Sequence, residues 1–328
     1  MKFRAVSFVA RRSATPRDRI ELELRPLVGG LESSVTAAIV SAGAGVSVPQ
    51  QFVVKRLRGR HRRETAIYEL LWAHIEQPPA ARMLHVESAG DAEYLYLEHL
   101  QALSSWPWSD MAMAAAVCRT LARFHDTATP PSPVFDWDYD AELLESADET
   151  VAVAMSARDH TGLRHWRRPG ELRRVVAALP RMRAGLESRR AIIHGDMHPG
   201  NVIVQAVAGH PRVALIDWGR ARIGSPLEDV ASWLHALGCW EPEVRRRHDT
   251  LLRVYLDARQ VPQRVTADLR RDYWFASASN GLAGAIRYHL LVLCDRRATD
   301  TMRVHSWRAL GEWQRVVRRA AALVACLR

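Results

Sequence analysis

The segment His194-Gly195-Asp196-Met197-His198-Pro199-Gly200-Asn201 lies between two short runs typical of β-strands, within AIIHGD and NVIVQAV. A third such run, RVALIDWG, contains Asp217 near its end. A turn of this length is expected to carry Asp196 at its crown and to bring Asn201 back beneath it, where the amide oxygen can bind a cation. Asp217 leaves a parallel or hairpin-paired neighbouring strand and is the natural second ligand.

These residue types suit the transfer of a phosphoryl group. In this reaction the protein itself contributes little covalent chemistry. A carboxylate orients and deprotonates a hydroxyl, and oxygen ligands hold Mg²⁺ against the phosphates. We therefore interpret Asp196 as a catalytic base, and Asn201 and Asp217 as metal ligands. The loop alone is suggestive, and the alternative is an acidic capped turn.

A lysine and a glutamate upstream strengthen this interpretation. Lys2 and Lys55 are the two lysines of an arginine-rich chain, and Lys55 lies in the apolar strand-like run QFVVKRL. Its ammonium could contact the α- and β-phosphates of a nucleotide, with a surface position as the alternative. Glu64 on the following helix could pair with it. Glu69 competes for that role, but Glu64 shares a helix face with Ile67 and Leu71.

Composition limits the class of protein. With 328 residues, 48% of them hydrophobic and 25% charged, the chain can bury a sizeable core. The net charge of +10 comes from dispersed arginines without a nucleic-acid-binding motif, so no nucleic-acid partner is expected. The N-terminal MKFRAVSFVARRS is a short apolar stretch broken by arginines, and no run predicts a membrane span. Four distant cysteines indicate reduced thiols in a cytoplasmic protein.

The pattern changes near residue 100. Before it, IELELRPLVGG, SSVTAAIVSAG and QFVVKRL predict an antiparallel three-stranded meander, followed by a helix in RHRRETAIYELLWAHI and a strand in AEYLYLEHL. After it, helical periodicity dominates, and TPPSPVFDWDYDAELLESADE is predicted to be a loop or insertion. We predict an α+β fold with an N-terminal nucleotide-binding lobe, residues 1–100, and a mainly helical catalytic and acceptor-binding lobe, residues 101–328.

Taken together, Val53-Val54-Lys55, Glu64, the hinge-like Leu97-Glu98-His99-Leu100, HGDMHPGN and IDWG resemble the aminoglycoside phosphotransferase and choline kinase superfamily. The resemblance extends from about Leu24 to Leu237. It implies the bilobal protein-kinase-like fold, ATP or GTP as phosphoryl donor, and Mg²⁺. It further implies Asp196 as the base, Asn201 and Asp217 as Mg²⁺ ligands, and a phosphate-positioning pair of Lys55 and Glu64. The backbone of Glu98 and Leu100 is implied to hydrogen-bond the purine edge.

Some positions depart from the protein-kinase pattern. The loop Gly29-Gly30-Leu31-Glu32-Ser33-Ser34 is not GxGxxG, so phosphate binding there would use backbone N–H groups and the hydroxyls of Ser33 and Ser34. His198 stands where protein kinases usually carry a lysine, as small-molecule kinases often show. His194 is expected to orient the loop. Asp229, near the start of a helix, is expected to cap N–H groups or to brace the catalytic loop.

The acceptor is expected to be a small molecule, because few residues separate Asp217 from the helix predicted near Pro226 and no Ala-Pro-Glu motif follows. Its charge stays open, since two sets of residues conflict. One is an acidic run that suits a polycation or merely starts a helix: Asp136, Asp138, Asp140, Glu142, Glu145, Asp148 and Glu149. The other is a basic set that suits a neutral or anionic acceptor: Arg287, Arg296, Arg297, Arg303 and Arg308.

Three functions follow from these observations. The first is an antibiotic-inactivating phosphotransferase, acting on an aminoglycoside, nucleoside or related compound. The second is a metabolite kinase of the choline, homoserine or sugar type. The third is a non-catalytic binding protein of kinase fold, which the complete set of chemical groups disfavours. A monomer or a homodimer is expected.

Overall fold

A computed structural model describes most of the chain. The described residues are 1–13, 16–27, 35–42, 51–103, 105–127, 132–135, 137–156, 169–186, 190–207, 210–260 and 264–326. They form two compact units, Met1–Ser104 with Val202–Arg220, and Ser105–Asn201 with Ala221–Arg328. The first unit thus extends four residues beyond residue 100 and also includes Val202–Arg220, and the division into two lobes at residue 100 stays a prediction.

A five-stranded antiparallel sheet forms most of the first unit. Its strands are β1 Leu22–Pro26, β2 Val35–Ala42, β3 Gln51–Arg58, β4 Met83–Ala89 and β5 Ala92–Glu98, in the order β1-β2-β3-β5-β4. The predicted meander of β1, β2 and β3 is confirmed, as is the strand β5. Strand β4 was not predicted, because it lies at the edge of the sheet and its residues are mostly only half-buried, so apolar alternation is weak.

A helix, α1 (Lys2–Ser13), packs against this sheet, although the sequence predicts only a short apolar stretch there. Ala5, Phe8 and Val9 form its buried face, at the i, i+3, i+4 spacing of a helix stripe. The Phe8 ring stacks on Tyr96 with centroids 4.5 Å apart and meets Phe52 edge-on at 5.2 Å. The core on this face of the sheet therefore depends on this helix.

The first unit also contains helix α2 (Arg63–His74) and a hairpin of β7 (Val202–Val207) and β8 (His210–Leu215). Val202 pairs with Leu215, so the hairpin alternative for the strand leading to Asp217 is confirmed. The turn after β8 lies on α2, where the Arg63 guanidinium donates to the Gly219 carbonyl at 3.0 Å.

The second unit is mainly helical. Its helices are α3 Met111–His125, α4 Tyr139–Ser156, α5 Pro169–Leu186, α6 Pro226–Trp240, α7 Pro242–Arg246, α8 His248–Asp257, α9 Ala267–Asn280, α10 Ile286–Cys294 and α11 Asp300–Val324. A two-stranded sheet joins β6 (Ala191–Ile193) to β9 (Arg222–Gly224). The α+β fold class is confirmed.

The prediction of a loop across TPPSPVFDWDYDAELLESADE is wrong from Tyr139 onward, where α4 begins. The Asp138 carboxylate accepts the Ala141 N–H at 3.0 Å, and further acidic residues follow in the first turn, where the helix dipole favours negative charge. Leu143 and Ala147 are buried and hold the helix against its unit. Proline and aspartate thus mark the approach to a helix rather than a long insertion.

None of the helices in the described part of the chain combines the length and apolar character needed to cross a bilayer. The four cysteines are unpaired. Burial raises the pKa of the Cys118 and Cys239 thiols to about 12, which keeps both protonated and unreactive at neutral pH.

Candidate active site

Lys55 lies at the centre of a charged cluster in the first unit. It projects from β3, is 9% exposed, and places its Nζ 2.7 Å from both carboxylate oxygens of Glu64. The same Nζ lies 3.1 Å from Asp217 Oδ1. One buried ammonium group thus faces two carboxylates that come from a helix and from the turn after β8.

Glu64 is the partner that the helix face predicts. It lies in the first turn of α2 and is 2% exposed, whereas Glu69 on the same helix is exposed. The backbone N–H of Trp218 also donates to the Glu64 carboxylate. Burial lowers the pKa of Lys55, but Glu64 and then Asp217 outweigh burial and raise it above its usual range, so the ammonium stays charged.

Asp217 has an unusual backbone conformation. Its φ of +66° makes it the one non-glycine residue with a left-handed backbone among the described ranges. Such a conformation costs on the order of 1–3 kcal/mol and persists where surrounding contacts hold it. Here the fully buried Trp218 holds the turn, since its indole N–H donates to the Leu215 carbonyl at 3.0 Å. The Asp217 side chain is 55% exposed, so its carboxylate stays accessible.

The hinge-like segment after β5 belongs to the same unit. The Glu98 N–H donates to the Arg82 carbonyl at 2.9 Å, and the Glu98 side chain accepts the Arg82 N–H at 2.8 Å. Any backbone contact of Glu98 with a purine would therefore use its carbonyl oxygen. Leu100 is buried. The predicted phosphate loop with Ser33 and Ser34 lies outside the described residues.

The segment from His194 to Asn201 is in the second unit and folds back on itself as the spacing predicts. Asn201 Nδ2 donates to the Asp196 carbonyl at 2.9 Å and lies 3.3 Å from Asp196 Oδ2. The Asn201 N–H donates to the His198 carbonyl at 2.9 Å. Gly195 has a φ of +80°, which an L side chain rarely adopts, so glycine at this position allows the sharp turn before Asp196.

Asp229 braces this loop from the first turn of α6. Its two carboxylate oxygens accept the backbone N–H groups of His194 at 2.7 Å and of Gly195 at 2.8 Å. Of the two roles open for Asp229 from sequence, the geometry is that of a brace. Burial would raise its pKa, but the hydrogen bond and charge of His125, then His194 and the Gly195 N–H, together hold it below its usual range.

The two loop histidines make local contacts. His194 is fully buried, and its Nδ1 accepts the Asp196 N–H at 3.3 Å. His198 Nδ1 accepts the Gly200 N–H at 3.1 Å, while its Nε2 lies 3.9 Å from Asp196 Oδ2. Both rings therefore shape the backbone beside Asp196.

The donor chemistry fits Mg²⁺, which prefers hard oxygen ligands. Asp217 offers an accessible carboxylate, and Asn201 uses Nδ2 toward Asp196, which leaves its Oδ1 oxygen to bind a cation. His235, His248 and Glu312 also form a group whose ligand-type atoms lie within 4.8 Å of one another, with His248 half-buried and the other two buried. Both ring nitrogens of His235 are already in hydrogen bonds, to Glu312 and Ser277. That group is therefore a hydrogen-bonded core network.

The acidic run considered for a polycationic acceptor is partly neutralised within the second unit. Asp140 accepts from Arg183 Nε at 2.8 Å, and Glu149 pairs with Arg287, which belongs to the basic set considered for an anionic acceptor. Asp138 caps α4. Asp136 lies outside the described residues. These contacts favour the helix-initiating interpretation of the run.

A buried ion-pair cluster that the sequence analysis does not predict lies in the same unit as the His194–Asn201 segment. Arg222 in β9 pairs with Glu228 at 2.5 Å, and Arg183 approaches the same carboxylate at 2.9 Å. Glu228 also accepts the Ser225 N–H at 3.0 Å in a capping box that starts α6. The Ser-Pro-Leu-Glu spacing is a capping-box signal that could have identified Glu228. The partner arginines carry no local signal.

Solved structures of kinases share this fold. An ethanolamine kinase of Plasmodium vivax superposes with a TM-score of 0.62 at 11% identity, covering 93% of this chain and 84% of that chain. A spectinomycin phosphotransferase in complex with ADP and spectinomycin gives 0.60 at 12%, covering 99% and 98%. A choline/ethanolamine kinase family protein from Mesorhizobium loti gives 0.61 at 16%, covering 99% of each chain.

Sequence comparison adds the family. No curated protein gives a significant match. The model of the phosphotransferase enzyme family matches residues 23–275, which is more than half of the chain. The resemblance to the aminoglycoside phosphotransferase and choline kinase superfamily is thereby confirmed, and this chain belongs to the phosphotransferase enzyme family.

Proposed function

We propose that the protein transfers the γ-phosphoryl group of ATP or GTP to a hydroxyl of a small molecule. The observation that carries the proposal is the buried Lys55, paired with Glu64 and in contact with Asp217. A buried ion pair contributes little net stability compared with apolar residues of similar size. Its presence in an otherwise lysine-poor chain is therefore best explained by phosphate binding.

In this proposal Lys55 contacts the α- and β-phosphates and Glu64 fixes its ammonium group. Asn201 and Asp217 hold Mg²⁺, which neutralises charge on the phosphates when bound. The carbonyl of Glu98 and the N–H of Leu100 bind the purine edge. Ser33 and Ser34 contribute hydroxyls to the phosphate loop. The roles of Ser33 and Ser34 rest on the sequence alone, and the other roles rest on the family resemblance and on the oxygen and nitrogen donors described above.

Asp196 acts as the base in this proposal. The acceptor O–H donates to its carboxylate, the proton moves to Asp196, and the hydroxyl oxygen attacks the γ-phosphorus while the bond to the β–γ bridging oxygen breaks. The nucleoside diphosphate leaves with the electron pair of that bond. Asn201, His194 and Asp229 keep the backbone beside Asp196 in one conformation.

For the acceptor we propose an antibiotic, phosphorylated by a resistance enzyme. The similar folds of a spectinomycin phosphotransferase and of choline and ethanolamine kinases support a small hydroxylated acceptor and are compatible with a metabolite kinase as the alternative. Neutralisation of Asp140 and Glu149 by arginines favours a nucleoside or another weakly charged antibiotic over a polycationic aminoglycoside. A cytoplasmic location and a monomeric or homodimeric state complete the proposal.

A phosphorylation screen tests it. The purified protein is incubated with Mg²⁺ and ATP or GTP and with panels of hydroxylated antibiotics, choline, ethanolamine, homoserine and sugars, and each acceptor is examined for the mass of one added phosphate. A product among the antibiotics supports the proposal, and a product among the metabolites selects the alternative. No product together with no thermal shift on adding Mg²⁺-nucleotide would refute kinase activity and leave the non-catalytic function.

A further inference from the structure

A chain of hydrogen bonds continues from Asp229 into the helical core of the second unit. Asp229 Oδ2 lies 3.1 Å from His125 Nε2, and His125 Nδ1 lies 3.0 Å from the Tyr255 hydroxyl. The Tyr255 hydroxyl accepts from Arg259 at 2.7 Å. His125, Tyr255 and Asp229 are at most 3% exposed. No role was assigned to His125, Tyr255 or Arg259 from sequence.

The donors and acceptors at the two ends of this chain fix the direction of the hydrogen bonds there. Arginine can only donate, so the Tyr255 oxygen accepts from Arg259, and the same hydroxyl exchanges its second hydrogen bond with His125 Nδ1. An ionised carboxylate can only accept, so His125 carries a proton on Nε2 and donates it to Asp229. The pKa of Tyr255 is raised by burial, which keeps the hydroxyl protonated. The pKa of Asp229 is lowered, which keeps it ionised as an acceptor.

The outer end of the chain is anchored at two helix ends. Arg259 Nε donates to Asp126 Oδ1 at 2.6 Å, and the Gln260 N–H donates to Asp126 Oδ2 at 2.6 Å. Asp126 is the residue after α3, and Arg259 and Gln260 follow α8. The Asp126 carboxylate thus connects the C-terminal ends of α3 and α8, which pack together. Because His125 lies in the last turn of α3, this connection also fixes the position of His125 relative to Asp229.

We infer that His125 is a positioning residue for the catalytic loop, acting as an Nε2–H donor that holds the Asp229 carboxylate against the His194 and Gly195 N–H groups. Tyr255 and Arg259 hold the His125 ring in the orientation that this contact needs. The inference rests on the proposed function for its effect on phosphoryl transfer. Its effect on the loop itself is independent of any acceptor.

The sharpest test replaces His125 with side chains that can substitute for only one of its two ring nitrogens. Glutamine at position 125 places an amide N–H near the former Nε2 and can donate to Asp229. Asparagine places its amide near the former Nδ1 and reaches Tyr255 but not Asp229. Leucine does neither. His125→Leu and His125→Asn should therefore weaken the brace, and His125→Gln should restore it.

Amide hydrogen exchange of peptides covering residues 190–201 reads the loop without any substrate. We expect about tenfold faster exchange in His125→Leu and His125→Asn, the equivalent of losing one hydrogen bond to a charged group. His125→Gln should exchange within about threefold of wild type. Equal exchange in all four proteins, or a glutamine variant no better protected than leucine, would overturn the inference.

Kinetics with the acceptor found in the screen gives the second readout. We expect kcat to fall about 10- to 100-fold in the leucine and asparagine variants with the KM for nucleotide unchanged, because a misplaced loop affects the base and not nucleotide binding. Glutamine should recover most of kcat. A parallel loss of kcat and nucleotide affinity in all three variants would mean general destabilisation and would overturn the positioning role.

Tyr255→Phe keeps the inference testable if the position-125 variants do not fold, because it removes only one oxygen atom from the core. It should speed exchange of residues 190–201 in the wild-type background and add nothing to His125→Leu. Tyr273→Phe is the matched control, because Tyr273 is also buried in this unit and its hydroxyl has no partner among the described residues. Equal effects of the two substitutions would refute the chain of bonds. If wild type phosphorylates nothing, the proposed function fails while the exchange experiments still decide this inference.

Discussion

Replacing Glu64 by glutamine tests the ion pair that carries the proposed function. The substitution keeps the shape of the side chain and removes its charge, leaving the buried Lys55 ammonium with Asp217 as its remaining described counter-charge at 3.1 Å. Breaking a buried ion pair by removing one partner costs about 3–5 kcal/mol. Because Asp217 retains part of the attraction but is 55% exposed, we expect a loss of about 2–3 kcal/mol in the free energy of unfolding.

Two comparison variants separate charge from helix effects. Glu69→Gln changes an exposed glutamate on the same helix and should alter stability by no more than about 0.5 kcal/mol. The double variant Lys55→Met/Glu64→Leu removes both charges and should recover stability to within about 1 kcal/mol of wild type, because apolar replacement of a buried pair is often neutral. It should not recover nucleotide binding.

Urea unfolding followed by tryptophan fluorescence measures the stabilities, and calorimetric titration with Mg²⁺-ATP measures nucleotide affinity without an acceptor. We expect Glu64→Gln to weaken nucleotide binding about tenfold or more, since Lys55 loses its orienting partner. Equal effects of Glu64→Gln and Glu69→Gln, or full nucleotide affinity in the double variant, would refute the phosphate-positioning role of the pair.

Three further predictions concern the base, the metal ligand and the acid limb of stability. Asp196→Ala should lower kcat by about 10²–10⁴-fold while calorimetry shows nearly unchanged Mg²⁺-nucleotide affinity, and equal losses of both would contradict its assignment as the base. Asp217→Ala should weaken nucleotide binding in Mg²⁺ but not in EDTA; a loss that persists in EDTA would contradict a ligand role. Burial lowers the pKa of His248 to about 3, below the value of about 6.5 in the unfolded chain, so the unfolded state binds the extra proton and stability should fall between about pH 6 and 3. His248→Gln keeps the donor to the Leu234 carbonyl and should flatten that fall in urea unfolding by up to about 1.4 kcal/mol per pH unit; an unchanged slope would contradict the assignment.

Local sequence patterns were sufficient for much of the fold. Alternation identified β1, β2, β3 and β5, and helical periodicity identified α2 and indicated a mainly helical region beyond residue 100. Where the apolar pattern was weak or mixed with charge, prediction failed. The sequence predicts neither the edge strand β4 nor helix α1, and it predicts a loop where α4 begins.

The candidate site divides in the same way. The sequence identified Lys55, Glu64 and Asp217 by residue type and spacing, and it preferred Glu64 over Glu69 because one helix face carries the apolar residues. For Asp229 the sequence left two roles open, capping helix N–H groups or bracing the loop. Its contacts with the His194 and Gly195 N–H groups decide in favour of the brace. The residue roles in catalysis stay predictions until the variants above are measured.

The sequence by itself therefore determined which chemical groups are present and which helices and strands carry them, because motif spacing and periodicity are properties of near neighbours in the chain. Tertiary structure decided which groups meet. Lys55 and Asp217 are 162 positions apart, and His125 and Asp229 are 104 apart, yet each pair is in contact. No local pattern encodes such contacts, because they arise from the packing of whole helices and strands. Through this packing the buried His125 contacts Asp229, which in turn holds the loop that carries Asp196.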